Sequence, residues 1–228
     1  MKNKEQSQQL IKTLLENIGE DTSRAGLIDT PKRCVNMYEE LLSKTNVDPK
    51  EEINTFFESD NDEPILVKDI QFYSLCEHHM LPFFGKVHVA YIPQDNRVIG
   101  LSKIPRLVEF VSRKLSVQEE ITVNVAKKLI EILNPLGVAV VVEARHMCIE
   151  MRGVNKIGSV TRTSFYSGEF KENADRLRGM GLNIPQVLEL AIKLKEAGYD
   201  VRTDVITIEE VRTEIEKCLL EKGGSTNA

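Results

Sequence analysis

A surplus of positive charge is the first thing missing from this chain of 228 residues: 30 lysines and arginines face 35 aspartates and glutamates, for a formal net charge of −5. That balance argues against a general nucleic-acid footprint or a polybasic membrane patch, while leaving room for a local basic pocket around an anionic ligand. Long apolar runs are missing too. The longest, "GVAVVV" at 137–142, falls far short of the roughly 20 residues that span a bilayer. The N-terminal "MKNKEQSQQLIKTLLENIGE" carries no continuous apolar segment of the signal-peptide kind, so a cytoplasmic location is expected. Four cysteines do not make a disulfide scaffold in a chain of this length. Histidine is equally scarce, again four. No internal repeat or low-complexity tract is visible. What is there, 41% hydrophobic and 29% charged residues, is ordinary globular composition. The length suits one large domain, or one domain with an appendage.

Hydrophobic spacing sets the expected elements. Leu10, Ile11, Leu14, Leu15 and Ile18 predict an amphipathic N-terminal helix. "DTPKRCVNMYEELLSK" restarts a helix with Thr30 as N-cap, Pro31 as first helical residue, and Met37, Tyr38, Leu41 and Leu42 on its apolar face. The polar "KTNVDPKEE" and acidic "ESDNDEP" read as connections around a weakly patterned stretch. β-Branched and aromatic residues then predict strands over 65–75 and 86–93, paired antiparallel across the loop between them. Helices follow over 104–115 and 117–133, the second with Ile121, Val125, Leu129 and Ile132 on one face. A long strand is expected over 137–154 and its partner over 159–170. The order β-β-α-α-β-β describes an α+β unit, an antiparallel sheet with paired helices on one face. Beyond Phe170 come a helix ending at Gly198, a short strand in "YDVRTDVITI" and a last helix in "EEVRTEIEKCLLEKG".

The scarce histidines and cysteines are not spread evenly. "SLCEHHMLPFFG" at 74–85 sets Cys76, Glu77, His78 and His79 side by side. Cys76 and His79 have the C-x-x-H spacing of two zinc ligands in a tight loop. In "EARHMCIEM", His146 and Cys148 lie two apart, which on a strand puts them on one face with Val138, Val140, Val142 and Ala144. Taken alone, that pair also reads as a satisfied core histidine beside a buried thiol. Two such clusters in a histidine-poor chain favour zinc, because thiolate and imidazole together suit it. A closed structural site needs four ligands, and a catalytic one uses three and leaves a position open. Five candidates, Cys76, His78, His79, His146 and Cys148, therefore suffice for metal-assisted hydrolysis with acid–base help. Spacing does not choose the ligand histidine. Cys34 and Cys218 read as small buried apolar residues, and His88 as structural or exposed.

Other polar groups point to an anionic substrate. Ser102, Lys103 and Arg106 stand at a helix entrance, where backbone N–H groups also favour anions. Arg152, four beyond Cys148, would share its strand face about 13 Å along. Each cation alone reads as a solvated surface charge. Together near a metal cluster they suggest a phosphorylated substrate. Gln118 and Glu119 open a helix. They serve either as an ordinary first turn or as an amide and a carboxylate that read a base edge.

The segments "DTPKR", "CEHHMLPFFGKVHVAYIP", "VIGLSKIPRLVE", "VQEEIT", "EARHMCIEMRGV" and "TRTS" together resemble the GTP cyclohydrolase I family, in the family's order and over about residues 10–171. The resemblance implies the tunnelling fold, a ring-stacked homodecamer with active sites at subunit boundaries, and a zinc ion held by Cys76, His79 and Cys148. It implies His78 and His146 as acid–base residues. Gln118 and Glu119 would hold the guanine, Ser102 would contact the ribose, and Lys103, Arg106, Arg152 and Arg33 would surround the triphosphate. The implied reaction opens the imidazole ring of GTP, releases formate and rearranges the rest to 7,8-dihydroneopterin triphosphate. The expected division is a helical N-terminal region (1–60), a tunnelling-fold catalytic domain (61–171) and an extension (172–228) about which the resemblance says nothing.

Two features depart from the family pattern. Glu120 stands where the family commonly has Arg, and the tail runs about 55 residues past the usual end as an extension of unassigned role. Two other readings compete with this one. The same chemistry could feed deazaguanine nucleoside synthesis, or the zinc could be purely structural in a binding or scaffold protein. The latter would need a fourth ligand and has no use for spare imidazoles.

Overall fold

The computed structural model describes residues 2–49, 53–172, 180, 186–203 and 208–223. In chain order the elements are α1 (Lys4–Asn17), α2 (Thr30–Leu41), β1 (Phe56–Glu58), β2 (Ile65–Cys76), β3 (Pro82–Ile92), β4 (Arg97–Ile99) and α3 (Lys103–Ser112). There follow β5 (Leu115–Ser116), α4 (Gln118–Leu133), β6 (Gly137–His146), α5 (Met147–Glu150), β7 (Val160–Gly168) and α6 (Glu169–Glu172). Two further helices, α7 (Gln186–Glu196) and α8 (Ile208–Gly223), close the described chain. The architecture is α+β, in the β-β-α-α-β-β order expected of the tunnelling fold.

Among the described residues the main sheet has five strands, in the order β5-β2-β3-β6-β7. All neighbours are antiparallel except β5, which runs parallel to β2 at Leu75–Leu115 and Cys76–Ser116. Alternation in β3 and β6 sends Val87, Val89, Tyr91, Val138, Val140 and Val142 to one face, where they meet α3 and α4 in the principal core. α4 meets it along Ile121, Val125, Leu129 and Leu133, all buried. Leu133 completes that stripe at i, i+4 spacing, and Ile132 packs half-buried against the same core. β3 and β6 approach so closely that a Cβ at Gly85 would run into the Glu143 carbonyl. Glycine is required there.

Four local expectations are corrected. The strand expected over 137–154 ends at His146, and Met147–Glu150 forms a single helical turn. Arg145 and Glu150 close that turn with a bidentate ion pair, Nε to Oε1 at 2.8 Å and Nη2 to Oε2 at 2.6 Å. On a continued strand the same residues would stand about 16 Å apart. Cys148 is therefore not on the face that carries His146, nor Arg152 on a shared strand. At α2 the N-cap is Asp29, with Thr30 already helical. The weakly patterned stretch holds β1, which pairs with β4 as a separate two-stranded sheet. Of the strand expected in 199–208, residues 199–203 are irregular, 204–207 lie outside the described residues, and Ile208 already opens α8.

Candidate metal centre

The loop 77–81 joins β2 to β3 and is tied at both ends. The Cys76 N–H donates to the Leu81 carbonyl at 2.9 Å, the Met80 N–H to the Cys76 carbonyl at 2.7 Å, and the Glu77 N–H to the Ser116 carbonyl of β5 at 3.1 Å. Met80 takes a left-handed conformation, φ 54°, which reverses the chain and folds the histidines back over the end of β2. Cys76 Sγ then lies 3.9 Å from His79 Nδ1 and 3.8 Å from His78 Nδ1.

α5 supplies the third group. The ligand atoms of Cys76, His79 and Cys148 all lie within 4.8 Å of one another and could hold a metal ion. Tetrahedral zinc, with Zn–S about 2.3 Å and Zn–N about 2.0–2.1 Å, sets S···N near 3.6 Å. The 3.9 Å between Cys76 and His79 is within a few tenths of an ångström of that. His78 falls outside the group. Its side chain is 64% exposed, with Nε2 3.7 Å from Glu77 Oε1. Burial first, and the Cys76 sulfur second, push the Cys148 thiol above its ordinary pKa, while the Arg152 charge pulls the other way. A bound dication reverses that bias by taking the thiolate as ligand.

His146 ends β6 directly opposite Phe83 of β3. The two rings stack, with centroids 4.8 Å apart and planes within 3°. His146 Nε2 lies 2.7 Å from Gln118 Oε1. Burial lowers the imidazole pKa, and the Glu119 carboxylate partly opposes it. Metal group and second imidazole are thus held by separate devices, a hairpin loop plus α5 on one side and a stack plus an amide on the other.

The remaining expected residues lie on several elements. Gln118 is buried, 1% exposed, with its amide engaged inside the fold. Glu119 is exposed at the start of α4. Glu120 accepts from the Ser116 hydroxyl at 3.4 Å, so this departure from the family pattern serves the entrance to α4. Ser102 is the exposed N-cap residue of α3, and Lys103 opens that helix. Arg106 lines a cavity of about 420 Å³ with Glu40, Tyr73 and Arg113. Arg33 pairs with Asp29 at 3.6 Å on the surface of α2. Arg152 is exposed, close enough to Cys148 for its charge to act on the thiol. His88 is half-buried in β3 and accepts the Asp69 N–H at Nδ1, 3.2 Å.

Sequence reasoning missed Phe83, the Arg145–Glu150 clamp, Thr122 and Thr163. Thr122 had a usable signal, since it lies one helical turn beyond Gln118. The others are cross-strand or turn contacts with none.

The model of the GTP cyclohydrolase I family matches residues 7–182. The chain is 58% identical over 168 residues, 73% of its length, to the bifunctional protein FolKE of Lactococcus lactis subsp. lactis (strain IL1403), but covers only 48% of that protein. It thus spans about half the length of the bifunctional relatives it matches. Against GTP cyclohydrolase 1 of Bacillus subtilis (strain 168) it is 54% identical over 172 residues, 75% of this chain and 90% of the relative. Against GTP cyclohydrolase 1 of Campylobacter lari (strain RM2100) the identity is 55% over 167 residues, 73% and 87% of the two chains. With most of its length matched and a Cys-His-Cys group assembled from the matching segments, the chain belongs to the GTP cyclohydrolase I family.

Proposed function

We propose that this protein is a GTP cyclohydrolase. It opens the guanine imidazole ring of GTP by hydrolysis, releases formate and rearranges the remainder to 7,8-dihydroneopterin triphosphate, the first step of tetrahydrofolate synthesis. The observation that carries this reading is the convergence of Cys76, His79 and Cys148 within 4.8 Å, beside a second, firmly held imidazole, in a chain of this family. Two thiolates and one imidazole favour zinc over magnesium or calcium. Bound there, zinc supplies Lewis acidity and activates water near neutral pH.

The chain's own groups do the rest. His146, its neutral form favoured by burial, takes and returns protons as the ring opens. His78, exposed in the hairpin loop, exchanges protons on the solvent side. Glu119 accepts from the N–H edge of the base, and Ser102 contacts the ribose. Lys103, Arg106, Arg152 and Arg33 bind the triphosphate. These cations come from three parts of the chain, α2, α3 and the connection after α5, and we infer that a neighbouring copy completes their site. We infer a homodecamer. Exposed apolar side chains at Leu10, Leu14, Met151, Val154 and Ile157 support association.

The division into 1–60, 61–171 and 172–228 is retained, with the last part proposed as a packing extension. Among the described residues no helix is long and apolar enough to cross a membrane, and we assign a cytoplasmic location on composition. The test is incubation of the zinc-loaded protein with GTP, reading formate and pterin fluorescence. Zinc bound, oligomer intact and no formate would sink the assignment.

A further inference from the structure

Gln118 at the start of α4 is joined to groups that leave its amide one orientation. Its Nε2 lies 3.1 Å from the Val142 carbonyl, 3.0 Å from the Thr161 carbonyl and 3.1 Å from Thr163 Oγ1. Two of these are carbonyl oxygens, which only accept, so the NH2 end of the amide must face them. The Oε1 end is left facing His146 Nε2 at 2.7 Å. An amide oxygen has no proton to give, so the proton of that contact sits on His146 Nε2.

Two hydroxyls stand beside the amide. Thr122 Oγ1 donates to the Gln118 carbonyl at 3.0 Å and lies 2.6 Å from Thr163 Oγ1, where either hydroxyl can be the donor. The two NH2 protons of Gln118 are shared among the Val142 carbonyl, the Thr161 carbonyl and Thr163 Oγ1. Turning the amide over would set its oxygen against two carbonyl oxygens. Phe83, stacked 4.8 Å from the ring, sets the plane that Gln118 sets along the edge.

We propose that Gln118 is a positioning residue that holds His146 as its Nε2–H tautomer, leaving Nδ1 as the nitrogen that exchanges protons with substrate, and that Gln118 does not itself contact the guanine. The inference rests on His146 serving in the cyclohydrolase reaction proposed above. When Nδ1 takes a proton, Nε2–H stays on Oε1, and the amide oxygen faces the charge that develops on the ring. Base reading then falls to Glu119 alone of the pair, the exposed one.

The test has two arms. In zinc-loaded protein with 15N-labelled histidine rings, four histidines are few enough to assign His146 by difference from His146→Ala. Its neutral ring should show a protonated Nε2 and a bare Nδ1, and the opposite pattern would overturn the proposal. In the second arm, Gln118→Met keeps the side-chain volume and removes the hydrogen bonds. It should lower kcat by about 100-fold with KM for GTP and zinc content within about twofold of the parent chain, and should add nothing to His146→Ala. A tenfold rise in KM at unchanged kcat would return Gln118 to the guanine pocket. If Gln118→Met does not fold, Thr163→Val, which touches neither the ring nor substrate, should still lower kcat with KM unchanged, and a rise in KM alone would overturn the proposal. A parent chain that binds zinc and releases no formate overturns the proposed function instead, and the nitrogen spectrum still decides the tautomer.

Discussion

His146 and Cys148 are two positions apart and face different tasks. One is the last residue of β6, stacked and hydrogen-bonded, and the other lies in the turn beyond it. Removing each should therefore have separable effects. Cys148→Ser should lose zinc, since a hydroxyl is a poor soft-metal ligand. His146→Ala should keep the metal and lower turnover by about 10²–10⁴-fold. Metal analysis beside a formate assay checks both, and equal zinc loss in the two variants would mean that the ligand set is wrong. Cys76, His79 and Cys148 were among the five candidates legible in the sequence. Spacing alone did not separate His79 from His78; the family resemblance pointed to His79, and in the folded loop it is His79 that groups with Cys76 and Cys148.

Two short devices govern how the elements present these residues. The first is the Arg145–Glu150 clamp, with Glu150 buried and Arg145 holding its carboxyl below the usual range. Glu150→Gln keeps the shape and removes the charge. It should weaken zinc binding by about tenfold, as loss of a supporting contact does elsewhere, with the sheet intact by circular dichroism. Unchanged affinity in a zinc competition titration would deny the clamp its role. The second device is the irregularity in β2 between Val67 and Ile70, where Asp69 adopts φ 57° and its N–H is accepted by His88 Nδ1. Burial depresses the His88 pKa below its ordinary 6.5, so near that value the unfolded chain binds more protons than the folded one. This contribution to stability is complete above the ordinary value. It falls as pH drops through that value toward the depressed folded one, and below the folded pKa it stays lost. Urea midpoints at pH 8 and pH 5 should therefore fall less in His88→Gln than in the parent chain. An equal fall in both would remove His88 from the account.

The proposed assembly would use apolar surfaces that one protomer leaves bare. Val154 and Ile157 are 66% and 84% exposed in the connection between α5 and β7, next to Arg152. Ile157→Glu should shift the assembly toward smaller species by light scattering, and an unchanged mass would place the interface elsewhere. Within the protomer, Leu129 is fully buried between α4 and the sheet. Leu129→Ala should cost about 2–5 kcal/mol in urea unfolding, and a loss under about 1 kcal/mol would mean that the core relaxes around the cavity.

The pairing of β2 with β3, the two helices α3 and α4, and the start of β6 were legible because each depends on local periodicity. Apolar side chains must repeat every 2 residues to face a core from a strand and every 3.6 from a helix. The N-terminal helix was legible too, although its apolar face is exposed on the protomer. The turn at Met147–Glu150, the β1–β4 pair and the role of Gln118 were not. "HMCIEM" alternates like a strand, and what breaks it is one ion pair that closes only in three dimensions. β1 is three residues long with a partner some 40 positions away, too short for any period to register. Gln118 reads as a helix start with a free amide, and its side chain is committed only once β6, β7 and α4 have packed around it. Periodicity is written locally along a chain, whereas the partner of a buried polar group is chosen by whatever the fold brings within about 3 Å of it.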